Sequence, residues 1–238
     1  MEHRQLILLG TGEAMATECY NTCFLVKTPE GEYFLTDAGG GNGILRQMKR
    51  VQADFEHLHY MFVTHGHTDH IVGVIWVLRR IAALMNEDIY GGEFHIYCHS
   101  VALQIIEMMA ELLLTKQDLA HLGKRILLHE MRNGEEVYFL GMKLTAFDVM
   151  SSKAKQFGYR LRFPNRRTLV CLGDEPYDEH NRVYAERADW LLSEAFCRHA
   201  DRDRFEPYEK HHSTVKEAAQ RAESLQVCLL YTSPSPRD

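Results

Sequence analysis

The run Tyr60-Met61-Phe62-Val63-Thr64 reads as a buried strand and leads directly into His65-Gly66-His67-Thr68-Asp69-His70. Few features constrain a chain more. Two imidazoles one residue apart on a loop leaving a strand can both turn toward one ion, while Asp69 and His70 project toward a second position close by. Six residues thus offer ligands for two metal ions. A lone histidine is more often a surface or hydrogen-bonded core residue, and His3, His57, His59, His121, His129, His180 and His199 are read that way. Three histidines and an aspartate within six residues are not.

The flanking pattern predicts the scaffold. Leu6 to Leu9 ahead of Gly10-Thr11-Gly12 reads as a buried strand entering a glycine turn, with Thr22 to Val26 and Tyr33 to Thr36 as hairpin neighbours. Asp37 to Gly43 is a glycine-rich turn ahead of a short helix from Ile44 to Arg50. Ile71 to Met85 is apolar almost all round and Val101 to Leu114 has helical spacing, so both are predicted as helices packed on a sheet, with Phe94 to Tyr97 as a strand between them. Short strands return over Ile126 to Val149, with Asn133-Gly134 as a hairpin turn and Gly141 as a breaker. Tyr159 to Phe163 alternates, Leu169 to Leu172 is a buried strand, and Thr214-Val215-Lys216-Glu217 is a capping-box start to a late helix. Two runs of strands with interspersed helices predict an α+β chain, an αββα four-layer sandwich of two sheets packed face to face.

Length supports one domain over residues 1–227, since 238 residues can bury a core without disulfides or a structural metal. A net charge of -6 argues against a protein that coats nucleic acid, although it says little about one local groove. Six cysteines without a CxxC pair, and no apolar run fit for a signal peptide, predict a soluble cytoplasmic protein with no membrane partner. Residues 228–238, Cys228 to Asp238, read like one frame of a translated sequencing-library adapter. The natural chain is therefore expected to end near Val227, which would leave the fold C-terminally truncated and its last sheet edge uncovered. An ordinary Ser-Pro-rich tail is the other reading.

Read in order, Leu9-Gly10-Thr11-Gly12, Asn21-Thr22, Thr36-Asp37-Ala38-Gly39-Gly40-Gly41, the histidine motif, Phe157-Gly158-Tyr159-Arg160, Leu172-Gly173-Asp174, Ser193-Glu194-Ala195 and His212-Ser213-Thr214 form a pattern. On these motifs the chain resembles the ribonuclease Z-like branch of the metallo-β-lactamase superfamily, in stretches covering nearly all of residues 5–227. The resemblance implies that His65 and His67 bind a first zinc, Asp69 and His70 a second, and that Asp174 bridges them. It implies that Asp37 orients a histidine ligand, that His212 assists the leaving oxygen, and that Glu194 holds His212 in place. Asp69, Glu194 and His212 are then the catalytic residues. From the residues alone, Asp174 is either a ligand or a helix cap, and Glu194 and His212 read equally well as a surface acid and a polar residue preceding a helix.

The sequence departs from the family pattern in three places. The family has a first-site histidine shortly before the Gly-Tyr-Arg stretch, where this chain has Phe147-Asp148-Val149-Met150-Ser151-Ser152, and a Met150 thioether is a poor zinc ligand in an oxygen-rich site. A last family histidine falls where the adapter-like residues begin. The long tRNA-gripping arm of bacterial ribonuclease Z is missing between Arg160 and Asp174. Lys153, Lys155, Arg160, Arg162, Arg166 and Arg167 form an acid-free basic run that would suit either a phosphate backbone or a solvated strand face.

The implied activity is a phosphodiesterase working through hydroxide on zinc, with manganese as the alternative ion, phosphodiester or RNA as substrate, and a homodimer as the implied assembly. Two alternatives stand beside it: a thioester or lactone hydrolase built on the same cluster, and a metal-poor binding protein.

Overall fold

The structure is a computed structural model that describes residues 4–232. His3 and the Ser233 to Asp238 part of the adapter-like tail lie outside the described residues. The chain divides into two compact units, residues 1–131 and 132–238.

Among the described residues the first unit builds a six-stranded sheet in the order β1-β2-β3-β4-β5-β6. Its strands are β1 (Gln5–Gly10), β2 (Cys23–Lys27), β3 (Tyr33–Thr36), β4 (Leu58–Val63), β5 (Phe94–Cys98) and β6 (Ile126–Glu130). The β1/β2 and β2/β3 pairs are antiparallel and the three later pairs parallel. Parallel neighbours require a crossover, and helices supply it. These are α1 (Gly43–Arg50), then α2 (Thr68–Ile71) and α3 (Val74–Asn86), then α4 (Ser100–Leu113) and α5 (Lys116–Leu119). The period-two alternation of β4 sends Met61 and Val63 into a core with Ile44, Met48, Val74, Leu78, Ile81, Ile96 and Ile106.

The apolar run from Ile71 to Met85 is not one helix. It breaks at Gly73, whose N–H donates to the Gly39 carbonyl at 2.7 Å, and where an added Cβ would lie 1.9 Å from the Ala38 oxygen. The helix yields so that its backbone can touch the glycine loop after β3.

The second unit holds another six-stranded sheet among the described residues, ordered β12-β11-β10-β9-β8-β7. Its strands are β7 (Glu136–Phe139), β8 (Met142–Asp148), β9 (Phe157–Arg162), β10 (Thr168–Cys171), β11 (Trp190–Ser193) and β12 (Leu229–Thr232). The run from β7 to β10 is antiparallel, whereas β11 joins β10 and β12 joins β11 in parallel. The short helices α6 (Arg182–Ala185) and α7 (Arg202–Phe205) and the longer α8 (Val215–Ser224) accompany these crossovers. Phe147, Val170, Leu172, Leu191, Ala222 and Leu225 form a core in this unit.

Asn133-Gly134 is not the hairpin turn the sequence predicts, because β6 belongs to the first sheet and β7 to the second. The hairpin turn is Leu140-Gly141, with φ +49° and +68°, the double left-handed geometry of a two-residue turn. A leucine in that place hid the signal. Of the adapter-like residues, 229–232 pair as the edge strand β12, with Leu229 59% exposed. An edge strand needs backbone partners on one side only, so a short β-prone segment meets the requirement.

Candidate metal centre

In the first unit, β4 ends at Val63 and hands over Thr64, His65, His67, Asp69 and His70 within one loop and the first turn of α2. His65 and His70 are buried, and His67 is partly exposed. His65 Nε2 and His67 Nδ1 lie 3.0 Å apart, and His70 Nε2 lies 3.6 Å from Asp69 Oδ2. The sequence motif therefore does gather its four predicted ligands.

Asp37 organises them. It follows β3 in a left-handed conformation, φ +54°, which aspartate tolerates better than most residues, and it is buried. Its Oδ1 accepts the Thr64 N–H at 2.8 Å, and its Oδ2 accepts the Thr64 hydroxyl at 2.7 Å and His70 Nδ1 at 2.8 Å. A carboxylate only accepts, so His70 carries its proton on Nδ1 and presents a lone pair at Nε2. Thr64 has already given its proton to Asp37, so at 2.9 Å it accepts from His65 Nδ1, and His65 likewise presents Nε2 as a lone pair. One carboxylate thus fixes two tautomers, the second through a hydroxyl.

Ligand atoms of Asp37, His65 and His70 come within 4.8 Å of one another, but both Asp37 oxygens are committed to these donors. Asp37 is an organiser rather than a ligand. The remaining set, three ring nitrogens and the Asp69 carboxylate, suits zinc. Two nitrogens on a tetrahedral zinc stand about 3.3 Å apart, close to the spacing of His65 and His67. The residues fit a divalent transition metal.

Tyr20 holds the glycine loop in place. Its hydroxyl lies 2.7 Å from both the Ala38 and Gly41 carbonyls, and burial pushes its pKa up to about 12. Asn21 accepts the Gly40 N–H at 3.1 Å and donates to the Glu13 carbonyl at 2.8 Å. Neither Tyr20 nor Thr64 stands out in the sequence; a threonine directly before His-Gly-His was the available signal for the second.

In the second unit, Glu194 follows β11 and is fully buried. Its Oε2 lies 3.2 Å from His212 Nδ1 and its Oε1 accepts the Ser213 N–H at 2.8 Å. Phe196 stacks on the His212 ring, with centroids 4.9 Å apart. The capping box, Thr214 N–H to Glu217 Oε2 at 2.8 Å, starts α8 and fixes the chain direction through His212. His212, Ser213, Ser152, Glu175, Met150 and Arg221 are among the residues lining a cavity of ≈ 430 Å³. Met150, at φ +60° and 59% exposed, sits on its rim and ligates nothing.

Asp174 follows β10 after Gly173 and does not cap a helix: the next helical turn starts at Glu179 and is capped by Asp178. Its N–H donates to the buried Gln156 side-chain oxygen at 3.1 Å, and Lys153 Nζ stands 3.9 Å from its Oδ2. The basic run disperses. Arg160 is half-buried with its guanidinium on the Tyr184 carbonyl, Arg162 ends β9 exposed, and Lys153 reaches Asp174 and His212.

Comparison with known proteins places this arrangement. The metallo-β-lactamase fold protein YhfI from Bacillus subtilis superposes with a TM-score of 0.78 at 18% identity, covering 100% of this chain and 88% of that one. Ribonuclease Z from Thermococcus gammatolerans is 26% identical over 267 residues, 95% of this chain and 82% of the relative. Ribonuclease Z from Archaeoglobus fulgidus is 28% identical over 163 residues, 68% of this chain; that match spans about half (49%) of the relative's length. Fold and histidine cluster together define a ribonuclease Z-like hydrolase of the metallo-β-lactamase fold. A family model described as Anti-Pycsar protein Apyc1 matches residues 4–226, and the chain belongs to that family.

Proposed function

We propose that this protein hydrolyses phosphodiesters with two zinc ions, manganese being the alternative, held by His65, His67, Asp69 and His70, with Asp174 as a further ligand. Opposing Pycsar, as the family description reads, is the setting we propose for that chemistry. Divalent ions in such donor sets lower the pKa of water to about 7 and neutralise charge on a phosphoryl group. The chain's own residues do the rest. Asp37 and Thr64 hold the lone pairs of His65 and His70 in position, so neither of these two rings has to rotate when an ion binds.

The observation that carries the assignment to phosphodiesters is the buried Glu194 carboxylate on His212 Nδ1. It commits that nitrogen as a donor and leaves Nε2 as the atom that holds or releases a proton at a leaving oxygen. Phe196 stacking restrains the ring's tilt. A phosphodiester with a poor leaving group needs this proton, whereas a thioester expels a thiolate that does not. Hydrolysis of bis(p-nitrophenyl) phosphate and of an alkyl phosphodiester by the zinc-loaded chain, against a thioester and a lactone, tests the assignment. Cleavage of the last two alone would overturn it.

RNA as a substrate is supported by the ribonuclease Z relatives, and the absence of a long arm between Arg160 and Asp174 favours small or single-stranded phosphodiesters over folded tRNA. A homodimer is supported by the exposed apolar residues Val101, Met108, Leu112 and Leu113 of α4. Six free cysteines support a reducing cytoplasm. No helix among the described residues is long and apolar enough to cross a membrane.

A further inference from the structure

Lys153 occupies a place that its neighbours do not fully use. Its ammonium has three N–H groups, and one short bond takes the Asp174 carbonyl at 3.1 Å. Its remaining contacts are long: His212 Nε2 at 3.4 Å, Glu175 Oε1 at 3.5 Å and Asp174 Oδ2 at 3.9 Å. A lysine free to choose closes on a carboxylate at about 2.8 Å. Here it stops short, on a turn that its neighbours hold. Ser151 Oγ donates to Glu175 Oε1 at 2.6 Å and accepts the N–H groups of Lys153 and Ala154 at 3.1 and 3.2 Å. That hydroxyl shares the Glu175 oxygen with the lysine and pins the backbone from which Lys153 extends. The side chain is 18% exposed, and two of its neighbours, Glu175 and His212, line the cavity.

We propose that the Lys153 ammonium is a substrate-contact group that binds a non-bridging oxygen of the phosphoryl group brought to His212. The inference rests on the phosphodiester reading of the site. Glu175 and Glu194 would repel an incoming phosphate, and a cation set beside them at the acid-donating nitrogen offsets that field. A phosphoryl oxygen at charge-assisted distance would be a better partner for the two loosely held N–H groups than anything now within reach. Arginine preserves the charge; methionine preserves only the stem.

Calorimetric titration of inorganic phosphate into the zinc-loaded full chain tests this, with K153M and K153R and with zinc content measured on each. Loss of one charge-assisted contact predicts phosphate binding about ten-fold weaker or more in K153M, about three-fold or less in K153R, and unchanged zinc content. Phosphate affinity in K153M within about two-fold of wild type would make Lys153 a structural ion-pair residue and overturn the proposal. Should K153M fail to fold, amidination of Lys153 in the wild-type chain by ethyl acetimidate, followed by mass spectrometry, decides. Phosphate is expected to protect the lysine, and equal labelling with and without phosphate overturns the proposal. Weakened phosphate binding in K153M, in a chain that cleaves no phosphodiester, would support the contact and sink only the proposed reaction.

Discussion

Replacing Asp37 by asparagine isolates the tautomer argument, since the two side chains share a shape and asparagine also tolerates φ +54°. The asparagine keeps an oxygen for the Thr64 N–H. Its NH2 then falls where Oδ2 accepted both the Thr64 hydroxyl and His70 Nδ1. A donor there forces His70 to move its proton to Nε2, and the altered Thr64 hydroxyl no longer holds the His65 proton on Nδ1. Both rings would offer an N–H where a lone pair is needed. Losing one hydrogen bond to a charged acceptor costs about 1.5–3 kcal/mol, roughly 10–150-fold in affinity. That agrees with the ~10–100-fold typical when a group supporting a metal ligand is lost. Zinc affinity of D37N and wild type, measured by competition with a chromophoric chelator, is expected to differ by at least ten-fold or so. Equal affinity within about two-fold would refute the claim that Asp37 sets the ligand tautomers.

Glu194→Gln should lower kcat for an alkyl phosphodiester by about 10²-fold or more, with a far smaller loss for a p-nitrophenyl ester whose leaving group needs no proton; equal losses on both would contradict the role of His212. Tyr20→Phe should destabilise the protein by about 1 kcal/mol, read as a lower urea midpoint, through loss of the hydrogen bond to the glycine loop. Gly73→Ala should abolish soluble expression or lower the melting temperature sharply, because its Cβ would lie 1.9 Å from the Ala38 carbonyl oxygen. His95 and His129 pair at 3.0 Å on the first sheet, and both pKa values are lowered, first by burial, with mutual repulsion next for His129. Their neutral forms are favoured by folding, so their contribution is present above the unfolded pKa of about 6.5 and fades as pH falls through and below it. His129→Gln should flatten the fall in urea midpoint between about pH 7 and 5.

The parts of this site written in short segments were legible. Six consecutive residues specify the ligand loop, because a strand and the first turn of a helix leave little choice of direction. Asp37 was legible as a partner for a histidine, though not its second reach to His65, which passes through Thr64, a residue that reads as the end of a strand. Glu194 and His212 were ambiguous as separate residues; the 17 positions between them carry no periodicity that predicts their meeting, and tertiary packing alone brings them to 3.2 Å. Lys153 was one of six cations in an acid-free stretch until the turn around Ser151 singled it out. Gly73 was hidden inside an apolar run, since helical spacing records which faces are buried and not how closely a backbone must approach.

The most direct test of the central claim is turnover of a phosphodiester by the 238-residue chain with its metal content measured on the same sample. The account predicts zinc-dependent cleavage that is lost on chelation, restored by zinc or manganese, and lost with its bound zinc in His67→Ala. Cleavage indifferent to chelation, or full zinc loading and activity in His67→Ala, would contradict it.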